Sequence, residues 1–194
     1  MTAYSDVLII GSGVSGLSFA LKVARFSRVT LITKKKKADS ATNLAQGGVA
    51  AVLSVEDSVE AHVTDTLASG DGLCNEEIVR IVTTEGPARV RELVEFGVRF
   101  QKGEHGEEFD LGMEGGHSTR RVAHASDLTG KEIERALLAQ IALDANIEVL
   151  ENHLASTCSS SPRRVAVSGR RATVAWAPMC STASPARWKR AWPG

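Results

Sequence analysis

The chain has 194 residues, 43% hydrophobic and 24% charged, enough apolar sequence for a sizeable core in one or two domains. No apolar run is long enough to span a bilayer, and Met1–Asp6 lacks the basic and apolar regions of a secretory leader. The net charge of zero conceals a split: residues 1–151 hold sixteen basic and all 23 acidic side chains, net −7, whereas 152–194 hold seven basic and no acidic ones, net +7.

The run Asp6–Ile10 is apolar and β-branched and ends at a glycine turn, which predicts a buried strand. Gly11–Gly16 is the turn, and Leu17–Arg25 is a helix with Leu17, Ala20, Leu21 and Ala24 on one face. Val29–Thr33 is a second buried strand, so the first 33 residues form a βαβ unit with a right-handed crossover and a parallel sheet. A loop follows over 34–48. Helices are expected over 57–69 and 76–96, the second broken or kinked at Gly86-Pro87. A short strand at Val98–Gln101 and a glycine-rich loop over 103–116 come next. Gly130–Ala145 is an amphipathic helix carrying Ile133, Leu137, Ile141 and Ala145, and Ile147–Leu150 is a strand that rejoins the sheet.

Gly11-x-Gly13-x-x-Gly16 lies between a strand and a helix, the context a dinucleotide fingerprint needs. Gly11 makes the turn, Gly13 admits the pyrophosphate, and Gly16 lets helix and strand pack closely. The helix N-terminus supplies free N–H groups to the phosphates. Ser12, Val14 and Ser15 complete the expected pyrophosphate loop. The acidic residue usual at the end of the second strand is replaced by Thr33-Lys34. That departs from an NAD site and leaves a 2′-phosphate or another adenine nucleotide open.

Ser40-Ala-Thr-Asn-Leu-Ala-Gln-Gly-Gly-Val-Ala-Ala51 narrows the choice. It resembles a signature shared by L-aspartate oxidases and the flavoprotein subunits of succinate dehydrogenase and fumarate reductase. The resemblance implies an α/β fold: a Rossmann-like FAD-binding domain with a parallel sheet, incomplete in this chain, plus the start of a capping domain. It implies that Ala41, Thr42, Asn43, Leu44, Ala45, Gln46, Gly47 and Gly48 run along FAD, with Lys34 toward its adenosine half. Respiratory members attach FAD to a histidine seven residues before the second glycine of the pair. Here that residue is Ala41, so non-covalent FAD is expected.

Met113-Glu-Gly-Gly-His-Ser-Thr-Arg-Arg-Val-Ala-His-Ala125 resembles the aspartate oxidase segment that meets the substrate. The resemblance places Glu114 near the substrate's amino group, where a carboxylate suits an ammonium and repels succinate or fumarate. His117, Arg120 and Arg121 could hold a dicarboxylate through bidentate guanidinium contacts, or serve as surface or structural charges. Asp127 or Thr129 is expected to cap the following helix. His62 reads as a structural histidine and His105 as exposed.

The resemblance covers residues 5–155. The expected domains are 1–155, the N-terminal part of an FAD-binding domain with a capping-type segment at about 100–125, and 156–194, a basic tail. That tail contains all three tryptophans and four of the five prolines. A reading-frame shift near 155–160 accounts for the change, leaving a disordered or out-of-frame tail; the rival is a genuine basic extension. Cys74, Cys158 and Cys180 fit neither a disulfide framework nor a zinc site. Free thiols, no metal, no nucleic-acid partner and a cytoplasmic location are expected.

The parent enzyme would oxidise L-aspartate to iminoaspartate, the first step of de novo NAD synthesis. Oxygen or fumarate would be the electron acceptor, and quinolinate synthase would take the product. The chain alone is expected to turn over poorly or not at all. A soluble fumarate reductase-like enzyme and a non-catalytic nucleotide-binding fragment are the alternatives.

Overall fold

A computed structural model describes residues 2–103, 108–125, 128–158, 165–168 and 173–176. In chain order its elements are β1 (Thr2–Ser5), β2 (Val7–Ile10), α1 (Val14–Val23), β3 (Val29–Thr33), α2 (Ala41–Leu44), β4 (Val49–Ala50), α3 (Val59–Ser69) and α4 (Glu76–Glu95). Then come β5 (Leu111–Gly112), β6 (Val122–Ala123), α5 (Thr129–Leu143), β7 (Ile147–Glu151), β8 (Leu154–Cys158), β9 (Val165–Ser168) and β10 (Thr173–Trp176). The chain divides into two compact units, 1–39 with 141–194, and 40–140.

The first unit is built on a parallel sheet of order β2-β3-β7, as the βαβ reading expects. All five residues of the central β3 are buried, because it has a neighbour on each side. Leu8, Leu150 and Ala155 pack around Ile32. Helix α1 lies against β2 and β3 and buries Leu17, Ala20, Leu21 and Val23. It starts at Val14, with Gly13 as its N-cap residue, earlier than the hydrophobic face suggests. Gly16 permits this approach: a Cβ there would overlap the Gly11 carbonyl oxygen and sit 3.4 Å from Ile9 Cγ2. Outside the central sheet, β1 pairs in parallel with β10, and β8 pairs antiparallel with β9.

The second unit has a small antiparallel sheet, order β4-β6-β5, beside the helix pair α3 and α4. Ser58 and Asn75 cap the two helices, accepting from Ala61 N–H and Ile78 N–H. The break expected at Gly86-Pro87 does not occur, and α4 runs through Pro87. Thr83 before it and Val90 and Leu93 after it are all buried. Burial on both sides outweighs the roughly 3 kcal/mol a proline costs inside a helix. The strand expected at Val98–Gln101 is not a ladder. Gln101 N–H donates to the His124 carbonyl at 2.8 Å, and Asp110 N–H donates to the Gln101 carbonyl at 2.8 Å.

At α5 the Thr129 hydroxyl accepts from Ala125 N–H at 3.0 Å, which fastens the incoming loop instead of capping the helix. The Leu128 carbonyl accepts the helix's first bond, from Glu132 N–H at 3.2 Å. Asp127 and His105 lie outside the described residues. Among the described residues no helix is long and apolar enough to cross a membrane.

Gly16→Ala should cost about 2 kcal/mol or more, since the added methyl meets backbone that cannot swing aside. A urea denaturation midpoint close to that of the unaltered chain would show that α1 and β2 can separate without penalty.

Candidate functional site

In the first unit the glycine turn is tied down from below. Gly11 N–H donates to the Ile32 carbonyl at 2.9 Å, and the buried Ser12 hydroxyl donates to Thr33 Oγ1 at 3.2 Å. Gly11 has φ +106°, a conformation that favours glycine. Above it α1 begins with no side-chain cap and no acidic residue in its first turn. A helix start without an acidic or capping side chain favours an anion. Val14 is half-buried and Ser15 exposed at this end. Lys34 is exposed just past β3.

In the second unit Ser40 caps the single turn α2, its hydroxyl accepting from Asn43 N–H at 3.2 Å. Ala45–Gly48 then runs exposed into β4. Pairing of both β4 and β5 with β6 brings the Gly47-Gly48 end of this run beside Met113-Glu114, which follows β5. A Cβ on Gly47 would lie 3.2 Å from Glu114 Oε1. A Cβ on Gly48 would overlap Val122 Cγ1 and lie 2.6 Å from the Ala123 carbonyl oxygen. Glycine is thus required for the strip to lie this close to β6. The result is a cleft of about 750 Å³ lined by Gln46, Gly47, Met113, Glu114, His124 and Leu128 among others.

Behind the cleft is a buried charge cluster. The Arg121 side chain is fully buried, as is that of Asp57, which takes Nε and Nη2 at 2.9 Å each. Asp65, on α3, takes Nη1 at 2.7 Å. Asp65 also accepts from the Ser118 N–H and hydroxyl at 2.8 Å each. Those Ser118 bonds come first, ahead of Arg121, in holding the Asp65 carboxyl down at about 2. Burial works against the Arg121 charge, but the bonds to Asp57 and Asp65 outweigh it and raise its pKa further. His117 Nδ1 lies 3.3 Å from Arg121 Nη1, and the His117 ring meets the buried His62 ring edge-on at 5.8 Å. Burial, then Arg121, lowers the His62 pKa and keeps that imidazole neutral.

The candidate residues therefore separate. Glu114 lines the cleft and is exposed. Arg120 is exposed and donates to the Leu111 carbonyl at 3.3 Å. Arg121 has another employment: its guanidinium is buried and committed to two carboxylates of its own chain. His117 belongs to the same cluster. Asp57 and Asp65 escaped the sequence reading because no spacing links them to Arg121, more than fifty residues away. His124, in the Met113–Ala125 segment but given no role by the sequence reading, faces the cleft with Nε2 3.6 Å from Asp110 Oδ2.

Residues 6–183 match the family model described as FAD binding domain. The chain belongs to the FAD-binding domain family. That match extends beyond residue 155 into the basic tail. The cofactor this family membership implies is FAD. The uncapped α1 terminus and the glycine strip beside Glu114 are donor and shape features that fit such a group.

The FAD-binding chain is 52% identical over 155 residues to L-aspartate oxidase 2-b, chloroplastic, of Nicotiana tabacum, covering 80% of this chain and 24% of that protein. It is 53% identical over 154 residues to the chloroplastic L-aspartate oxidase of Arabidopsis thaliana, covering 79% and 24%. The L-aspartate oxidase of Vibrio cholerae is 44% identical over 152 residues, covering 76% and 28%. The chain spans about a quarter of the length of these curated relatives. Among solved structures it resembles the Mycobacterium smegmatis Sdh1 complex, with TM-score 0.81 and 29% identity over 91% of this chain and 33% of that one. It also resembles the E. coli quinol fumarate reductase FrdA, with TM-score 0.83 and 26% identity over 91% and 32%.

Arg121→Met should cost about 3–5 kcal/mol, because it leaves Asp57 and Asp65 facing each other without a cation. Arg120→Met should cost under about 0.5 kcal/mol. Equal urea midpoints for the two variants would refute the assignment.

The depressed Asp65 pKa also sets an acid limit. Its carboxyl falls from 3.8 to about 2 on folding, so its contribution is complete above about pH 4 and is lost as pH falls through about 2. Asp65→Asn should flatten the acid side of the stability–pH curve, as read from urea midpoints between pH 7 and about 2.5.

Proposed function

We propose that the chain is the N-terminal part of an enzyme that oxidises L-aspartate to iminoaspartate with non-covalently bound FAD. The observation that carries this reading is the carboxylate of Glu114 on the cleft wall, directly against Gly47 of the glycine strip. The similarity to proteins named L-aspartate oxidase, at 44–53% identity over about four-fifths of the chain, supports it.

FAD, when bound, supplies the two-electron acceptor for oxidation at the substrate's Cα. Gly11, Ser12, Gly13, Val14, Ser15 and Gly16 would hold its pyrophosphate, with Lys34 near the adenosine. Ala41–Gly48 would line the remainder, and Ala41 offers no nucleophile for a covalent link. Glu114 would pair with the substrate ammonium and orient Cα. Arg120, which is exposed, is the better of the two arginines for a substrate carboxylate. His117 would act indirectly: its N–H donates to the Glu114 carbonyl at 3.3 Å, steadying the loop.

Oxygen or fumarate would reoxidise the cofactor, and the product would pass to quinolinate synthase. The free thiol of Cys74 fits the reducing cytoplasm this reading implies. Likeness to the Sdh1 complex and to fumarate reductase favours a second reading, a fumarate reductase-like flavoprotein.

A chimera separates the two: residues 1–155 joined to the remainder of the Arabidopsis relative. It should form iminoaspartate from L-aspartate. Glu114→Gln should lower kcat/KM for aspartate roughly tenfold or more, the loss of one charge-assisted contact. Fumarate reduction without aspartate oxidation would establish the second reading. For the 194-residue chain itself, any bound flavin should leave with acid precipitation, and flavin retained in the denatured pellet would show a covalent bond.

A further inference from the structure

Helix α2 is a single turn with no fully buried residue to anchor it in a core. Its C-terminal end meets one face of α5. At the C-terminal end, Gly130 N–H donates to the Ala45 carbonyl at 3.0 Å. A Cβ on Gly130 would overlap the Thr42 carbonyl oxygen and come within 2.8 Å of Ala45 Cβ. One helical turn later, on the same face of α5, stands Glu134.

Glu134 is 1% exposed, and both its carboxyl oxygens are buried with no hydrogen-bond partner among the described residues. No cation is paired with it among the described residues. Burial pushes its pKa up, and the Ser40 hydroxyl alone pulls the other way. An unpaired carboxyl in such a place costs more than an apolar side chain of similar size would. The cost is understandable if the group holds a partner. Ser40 can be that partner. One lone pair of its hydroxyl takes Asn43 N–H, which leaves its hydrogen free to be donated elsewhere.

We propose that Glu134 is a positioning residue for the segment 40–48, gripping the Ser40 hydroxyl so that Ser40 stays aimed at Asn43 N–H. Gly130 and Glu134 together clamp α2 from α5, Gly130 through backbone contact and Glu134 through the cap. That the clamped segment faces the cofactor rests on the proposed function; the clamp itself does not.

The experiment uses the 194-residue chain and its variants E134Q, E134L, S40A and S40A/E134L, followed by amide hydrogen exchange. E134L should speed exchange at Asn43 roughly fivefold, the effect of losing an N-cap bond, with β3 amides unchanged. S40A should do the same, and the double variant should add nothing further. E134Q, whose side-chain oxygen can still accept from Ser40, should keep the original rate. Unchanged exchange at Asn43 in E134L, or additive effects in the double variant, would overturn the proposal.

Should E134L lose its β3 protection and so fail to fold, E134Q decides alone. Its new side-chain amide should show a nuclear Overhauser contact to the Ser40 β-protons, and its absence sinks the clamp. FAD titration by flavin fluorescence is the second readout: E134L should bind roughly fivefold more weakly and E134Q within about twofold. Failure of the unaltered chain to bind FAD would count against the proposed function and leave the exchange result to judge the clamp.

Discussion

The second unit hangs on one guanidinium. Arg121 joins three pieces of chain: Asp57 before α3, Asp65 within it, and the loop that ends at β6. Two carboxylates against one cation leave a negative charge inside the protein, and backbone N–H groups with one hydroxyl finish the compensation. Ser58 N–H donates to Asp57 at 2.8 Å, and Ser118 supplies two bonds to Asp65. Such a cluster is weak evidence for net stability, because the desolvation of its members consumes most of the Coulomb gain. What it does impose is geometry. A bidentate arginine tolerates little displacement, so the loop from Glu114 to Ser118 is fixed against α3 while the Glu114 side chain stays exposed to the cleft.

The two units solve the same difficulty in the same way. A polypeptide that must lie against a planar ligand or another backbone cannot carry side chains at the contact. Gly16 lets α1 settle on the end of β2. Gly48 lets the strip before β4 lie on β6, and Gly130 lets α5 touch α2. Each contact puts backbone where a Cβ would have been. Removing side chains also removes apolar anchors, which is why polar groups such as Ser12, Ser40 and Thr129 recur at these points as fasteners.

Much of this was legible in the residues. The β-branched run Val29–Thr33, apolar at most positions, admits only a buried strand, and the glycine spacing after Ile10 admits only a tight turn into a helix. Residue pattern also singled out the glycine strip and Glu114. It allowed a break at Pro87 that does not occur, because the rule for a proline inside a helix is local and the burial of Thr83, Val90 and Leu93 is not. It could not divide Arg120 from Arg121, which are adjacent and chemically identical.

The sequence by itself determined the periodic elements, the glycine turn and the family likeness, since these depend on neighbours a few residues apart and on residue types with narrow conformational options. Tertiary structure alone decided which charges are paired inside the protein and which stay exposed. Arg121 is buried between Asp57 and Asp65 while Arg120 faces solvent, His124 turns toward the cleft, and Glu134 lies beneath α2. Arg121 and Glu134 lie against residues more than fifty positions away in the chain, and no local pattern encodes a contact over that distance.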